Sequence, residues 1–389
     1  MSLLIDPRFP YHSELGMPSI GVEAEFKVFV DDEEVLPETY WRTPSAFLGG
    51  DLLRRGARSF HLPPGGAVYF DGGVVEFVTP VIEIAPGCST RAARSLWEQI
   101  RYARGKLDEW ERKHGTRVRL QAFSCHVNVS FELSREERRR NRTVQKLAVL
   151  LMHILPPAAM LVGLNRRSSG IGVRPRRDRI EITLDFNPDP QLSAALLALL
   201  VGVVRTVMSW DSYLLEETGR RRVPVIAGLA PGKHPTRKGW VARREHFPED
   251  PFSAGSDDAR WALRDGRVAS LRTIALETAR ACEPLIRRLS DAASHAQLFA
   301  VLRGESPSLF DLDDRPPSYD DVGRGEYAAP RLSRSAYERV FRNLAQRRPL
   351  TIDGETLIPV SVRGWYHAVF RGAEGEERML SIDQLLAYW

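Results

Sequence analysis

Three stretches of this sequence alternate between apolar and polar residues, and each carries charge on its polar side. In IGVEAEFKVFV (20–30), Ile20, Val22, Ala24, Phe26 and Val28 share one face, and Glu23, Glu25 and Lys27 share the other. Residues 117–131 alternate in the same way and bring His126, Asn128 and Ser130 together. RIEITLDF (179–186) sets Arg179, Glu181, Thr183 and Asp185 on one face. A period of two marks a strand with one packed face and one open face. Strands of a buried parallel sheet are apolar on both faces, so the alternation selects an antiparallel sheet. Helical periods separate the strands. Ala92, Leu96, Ile100, Ala103, Leu107 and Trp110 recur every three or four residues, with Ser89 or Thr90 at the start and Gly115 as the stop. Ser134 and Glu137 form a capping box for a helix expected to end at Pro156, and Asp189-Pro190 opens an apolar helix to about Trp210. The fold class is α+β: a curved antiparallel sheet backed by helices.

The pattern changes after residue 215. We expect residues 1–215 to form the sheet-and-helix domain, and residues 216–348 a mainly helical extension with helices near 270–289, 290–302 and 335–346. Residues 311–330 read as a surface loop, and residues 349–389 as a small C-terminal β element. Two apolar runs need testing as membrane spans. Leu147 to Leu164 is interrupted by His153, Pro156 and Pro157, and Leu192 to Val204 falls short of the roughly 18–20 residues a span needs. Both read as core helices. With no basic-then-apolar leader and only three scattered cysteines (Cys88, Cys125, Cys282), a reducing, cytoplasmic setting is expected.

A net charge of +5 over 389 residues suits an anionic small ligand as well as nucleic acid, so it decides nothing. REERRRNR (135–142) lacks interleaved aromatics and reads as a solvated helix face, which disfavours a nucleic-acid partner. Gly219-Arg220-Arg221-Arg222 and the basic 233–244 stretch read as solvated surface, with a phosphate or acidic-substrate channel as the alternative. NRRSSGIGVRPRR (165–177) reads as a Gly- and Arg-rich loop before the Glu181 strand, without Walker spacing.

The open strand faces hold the chemistry. They offer Glu23 and Glu25, then Asp71, Glu76 and Glu83, then His126, then Glu181. Any one of these is the ordinary furniture of a solvated strand. Brought together, they would repel one another unless a hard divalent cation with oxygen ligands intervened. A lone His among carboxylates suits Mg²⁺ or Mn²⁺ and argues against a thiolate zinc centre.

The order of four motifs, GVEAEF, EFVTPVIE, CHVNVSF and RIEITLDFNPD, resembles that of carboxylate–amine ligases with a glutamine synthetase-like fold, which include the type 2 glutamate–cysteine ligases and the amidoligases. The resemblance spans residues 18–210. It implies metal ligands at Glu23, Glu25, Glu76, His126 and Glu181, with Glu83 as an extra candidate. It also implies ATP and Mg²⁺ (or Mn²⁺), and amide formation through an acyl phosphate on an amino acid, a peptide or a natural-product precursor. Asn128 and Ser130, beside His126, are the candidate cofactor contacts. One departure stands out: the family's Glu-x-Arg reads Glu181-Ile182-Thr183. Arg179, two residues earlier on the same face, or Arg176, in the preceding segment, would supply the missing cation. The alternative is a catalytically degenerate relative that binds a peptide or nucleotide and assists partner biosynthetic enzymes. A homo-oligomer is compatible with either.

Overall fold

A computed structural model describes residues 15–133, 142–234, 237–327 and 330–389, together with the strand Leu4–Ile5. The chain divides into two compact units, each assembled from separated segments. The first comprises residues 1–84, 94–123 and 320–389; the second comprises residues 85–93 and 124–319. The boundaries expected near 215 and 348 therefore do not coincide with the units. The C-terminal β strands do form, but they complete the first unit instead of standing alone.

In the first unit, the strand Ser19–Val30 turns tightly through Asp31 and Asp32 into Glu33–Val35. Both turn residues have positive φ (48° and 68°), as a two-residue hairpin turn requires. Val74–Val78 pairs antiparallel with Ser19–Val30, and Ala67–Asp71 pairs with Val74–Val78. Phe60–His61 and Leu53–Arg54 extend this ladder. Leu53–Arg54 meets Glu355–Arg363, which continues antiparallel through His367–Arg371 to Glu377–Ser381. The apolar face follows the sequence pattern: Ile20, Val22, Ala24, Phe26 and Val28 are all buried. Helix Ala336–Ala345 sets Tyr337, Val340, Phe341 and Leu344 against Leu350, Leu357, Phe370 and Leu380 in one core.

In the second unit, the distal half of the strand Val118–Ser130 pairs antiparallel with Arg179–Leu184, which pairs with Ile171–Pro175, which pairs with Trp240–Ala242. Helices Val144–Gly163 and Pro190–Met208 pack together, and the first of them also lies against Ile171–Pro175. Both helices are long and apolar enough to cross a bilayer, yet 83% of each one's most apolar window is buried within the protein. They are core helices. Gly202 lacks the Cβ that would overlap Ile286, so helix Glu283–Leu289 approaches closely.

Several local expectations change. Helix Val144–Gly163 runs through Pro156 and Pro157 instead of ending there. A buried proline costs about 3 kcal/mol in a helix interior, and here apolar packing on all sides outweighs it. Thr143 caps this helix by accepting from the Lys146 amide. The capping box at Ser134 and Glu137 lies outside the described residues. The helix expected over 270–289 splits into Leu271–Ala281 and Glu283–Leu289 at Cys282, just ahead of Pro284. The loop at 311–330 carries Tyr319 and Val322, both buried.

Two buried polar groups make the first unit's stability testable. Glu338 is fully buried, closes a capping box with Ser335 and pairs with buried Arg94 at 2.7 Å. Glu338→Ala leaves that buried guanidinium with only the longer contact to Glu98, at 3.8 Å, and the Leu332 carbonyl, so chemical denaturation should show a loss of about 3 kcal/mol. His61 is stacked on Phe341 and faces the edge of Trp365. Burial, then the Arg55 charge, push its pKa down from 6.5 to about 3. The unfolded chain takes up this proton first, so the contribution is complete above pH 6.5 and lost as pH falls toward 3. The denaturation midpoint should therefore fall more steeply between pH 6.5 and 4 in the wild type than in His61→Phe.

Candidate functional site

The first unit's strand register forces carboxylates into a row. Glu25 lies directly opposite Glu76, and Glu76 lies directly opposite Tyr69. Glu23 and Asp71 follow two residues away on the same face. Glu76 is 2% exposed and Glu25 9%. Carboxylate oxygens of Glu25, Asp71 and Glu76 lie within 4.8 Å of one another. Like charges at 4 Å cost about 4 kcal/mol at an effective dielectric of about 20. The carboxyl of Glu76 responds: burial, then Glu23, with smaller pushes from Glu25 and Asp71, raise its pKa to about 9. The Tyr69 hydroxyl donates to it. Behind Tyr69, the Arg55 guanidinium lies 4.3 Å from the Trp365 ring centroid and faces Tyr69, Glu23 and Glu76.

This donor set fits a hard divalent cation. It is made of oxygens alone, it is preassembled, and its members repel one another without a positive charge between them. Glu83 is not part of it. Its carboxylate accepts from the amides of Ala336 and Tyr337 at the start of a helix, so its role is capping and not metal binding. Tyr69, Asp71 and Arg55 complete the group. Asp71 stands out from sequence as an acid beside a Gly-Gly turn, but Tyr69 becomes visible only once the register is known.

The second unit gathers guanidinium groups. Thr183 lies opposite His126, Glu181 opposite Asn128, and Arg179 opposite Ser130. On the other edge, Arg174 lies opposite Glu181. Glu181 is 3% exposed. Its carboxylate accepts a fork from Arg176 at 2.7 and 2.8 Å and also pairs with Arg174. Burial alone would raise its pKa, but the hydrogen bonds from Arg176 and the charges of both arginines prevail and hold it low. Arg174 also meets Nε2 of His126 at 3.2 Å. A guanidinium can only donate, so Nε2 is the acceptor. Arg179 donates to Asn128 Oδ1 at 2.8 Å and pairs with Asp178 at 3.0 Å. Ser130 donates to Glu132.

Of the residues expected from sequence, Glu23, Glu25 and Glu76 thus share one face within the first unit. His126, Asn128, Ser130, Arg179 and Glu181 share another within the second. Both oxygens of Glu181 are engaged by guanidinium groups, so cation binding there requires the more exposed Arg176 to swing away. In this second group, Arg174, 4% exposed, is the residue that sequence reasoning missed. The stretch 165–177 reads as a loop by its Gly and Arg content, whereas Ile171–Pro175 is a strand paired on both sides. Asp185 does not continue the row. It follows the strand's end, where burial raises its pKa to about 6 and Asn165 donates to it at 3.4 Å.

No protein family matches the chain, and no curated protein sequence does. Among solved structures, the fold is similar to that in the crystal structure of the complex between the prokaryotic ubiquitin-like protein Pup and its ligase PafA. The TM-score is 0.52 at 12% identity, over 95% of this chain and 92% of that one. A second structure of the Pup ligase PafA, in complex with ADP, aligns over 90% and 92% with a TM-score of 0.39 and 12% identity. The first match establishes the fold: an α+β architecture with a mostly antiparallel sheet backed by helices, as in that ligase.

The carboxylate row predicts a metal response. Mg²⁺ should raise the thermal unfolding midpoint of the wild type and leave Glu76→Gln unmoved. In metal-free buffer near neutral pH Glu76→Gln should be about as stable as the wild type, because burial and the neighbouring acids already hold the Glu76 carboxyl in its neutral form there. An identical Mg²⁺ shift in both proteins would show that the cation binds elsewhere.

Proposed function

We propose that the chain is an ATP-dependent ligase that joins a carboxylate to an amine. The observation that carries this reading is the preassembled row Tyr69–Glu76–Glu25 with Asp71, on the fold of a known ligase. Glu25, Glu76 and Asp71, with Glu23, would hold Mg²⁺, and His126 and Glu181 remain candidate ligands beside the arginines. When bound, the cation would neutralise charge on the ATP phosphates during transfer. Tyr69 keeps Glu76 oriented through its hydroxyl hydrogen bond, and Arg55 limits the build-up of negative charge behind the row. Arg174 and Arg176 supply fixed cationic donors suited to phosphate or carboxylate oxygens. They stand in for the arginine absent at Thr183; Arg179, tied to Asn128 and Asp178, is the second candidate.

In the proposed reaction a substrate carboxylate oxygen attacks the γ-phosphorus of ATP, and ADP leaves. An amine then attacks the acyl carbon, the amide C–N bond forms, and phosphate departs with the amine losing a proton. The neighbouring ligase is solved with a protein bound, which favours a peptide or protein as one of the two substrates here. A catalytically degenerate binder on the same scaffold is the second reading. Thr183 and the double engagement of Glu181 are the features that favour it.

Calorimetric titration of ATP with and without Mg²⁺ separates the outcomes. The ligase reading expects Mg²⁺-dependent binding that Glu25→Gln abolishes. It also expects Arg176→Ala to lower turnover by about 10²–10³-fold. Arg174 stays paired with Glu181 once Arg176 is removed, so the loss of stability should be modest. Binding without turnover would point to the degenerate binder, and no ATP binding under either condition would end the ligase reading.

A further inference from the structure

We propose that the second unit carries an anion pocket that binds a small polyanion bearing two or more phosphate or carboxylate groups. The pocket has a volume of about 780 Å³, within the range of small-ligand sites. It shares no residue with the Glu181 group. Leu215, Val223, Pro224 and Ala281 give it apolar walls, and Arg221, Arg222, Arg264, Arg267 and Arg280 line it.

The ion pairs within the pocket leave an excess of positive charge. Arg267 makes a fork to Glu277 at 3.0 and 2.9 Å and bonds to Asp265 at 2.8 Å, which occupies two of the three lining acids. Arg221 pairs with Asp211 at 3.0 Å and lies 3.9 Å from Glu217. Arg222, Arg264 and Arg280 have no carboxylate partner among the described residues, and Glu216 is the only lining acid left to oppose them. These three arginines arrive from separate places. Arg222 lies just beyond helix Glu217–Arg220, Arg264 precedes the turn at Asp265–Gly266, and Arg280 sits in the last turn of helix Leu271–Ala281. Like charges that converge on a concave surface with apolar walls create a potential well for anions.

The backbone adds an independent argument. Arg222 has φ +55°, the left-handed region that costs a residue with a Cβ. The amide of Arg222 bonds to the Gly219 carbonyl at 3.2 Å, and that of Val223 bonds to the Thr218 carbonyl at 2.8 Å. This is a helix terminus of the kind glycine ordinarily closes. An arginine here gives up conformational ease and places a guanidinium at the pocket. Among the described residues the lining contains no aromatic side chain. A stacking platform for a nucleobase is therefore missing, and the recognition chemistry is that of guanidinium forks on oxyanions.

The test is calorimetric titration of the full chain, without divalent cation, using inorganic tripolyphosphate in one arm and citrate in the other. We expect saturable binding, weakened by added salt, of at least one probe. Tripolyphosphate alone identifies a phosphate ligand, citrate alone a polycarboxylate, and both together identify charge as the criterion. Arg222→Gly removes the guanidinium and relaxes the backbone, so affinity should fall about tenfold or more while the thermal midpoint holds or rises. Arg264→Gln and Arg280→Gln should weaken binding likewise, and they provide the test if Arg222→Gly disturbs folding. The proposal is overturned if neither probe binds at millimolar concentration, or if binding persists unchanged in all three variants. Mg²⁺-dependent ATP binding should be intact in these variants, so failure here leaves the ligase reading standing.

Discussion

The pairing of Ser19–Val30 with Val74–Val78 constrains everything proposed for the first unit. The strand's even-numbered residues are apolar and buried. A slip of one residue would turn them outward and drive Glu23 and Glu25 into the core. The register is therefore fixed by burial, and with it the placement of Glu25 against Glu76. The electrostatic stress is not a local accident that a rotamer change relieves. It is dictated by the same hydrophobic pattern that holds the sheet together.

The two units treat buried carboxylates in opposite ways. Glu76 is surrounded by acids, with a phenol as its hydrogen-bond donor, and its proton affinity rises far above the ordinary range. Glu181 is over-compensated, with two guanidinium groups on one carboxylate, and its proton affinity falls. The first arrangement is short of positive charge and the second is rich in it.

Much of this was legible in the sequence because strand alternation is a local property. The faces of 19–30 and 179–184 follow from counting by twos, whereas 118–130 reverses its parity near Phe123, burying Val118, Leu120 and Ala122 and then Cys125, Val127 and Val129; Asp189 caps its helix as its position before Pro190 suggests. What escaped depends on partners distant along the chain. Tyr69 is unremarkable until Glu76 lies opposite it. Arg174 sits in a stretch whose Gly and Arg content imitates a loop, and only pairing on both sides makes it a strand. Glu83 has the parity of a ligand, but a helix 250 residues later claims its oxygens. Pro156 and Pro157 fail to stop their helix because burial outweighs intrinsic propensity.

The discontinuity of the first unit bears on how the chain is made. Its sheet and core join residues near 20–84 to residues 336–385, so its closing contacts span nearly the whole sequence. Such contacts carry a large loop-closure entropy and raise contact order, which slows folding. During vectorial synthesis the segment 124–319 can condense while the early strands still await the last helix and meander. In that interval Ser19–Val30 and Val74–Val78 offer unpaired edges with apolar faces, the condition that recruits chaperones or leads to aggregation. The same late closure means that the carboxylate row acquires its full surroundings, Arg55 against Trp365 included, only when synthesis is nearly complete.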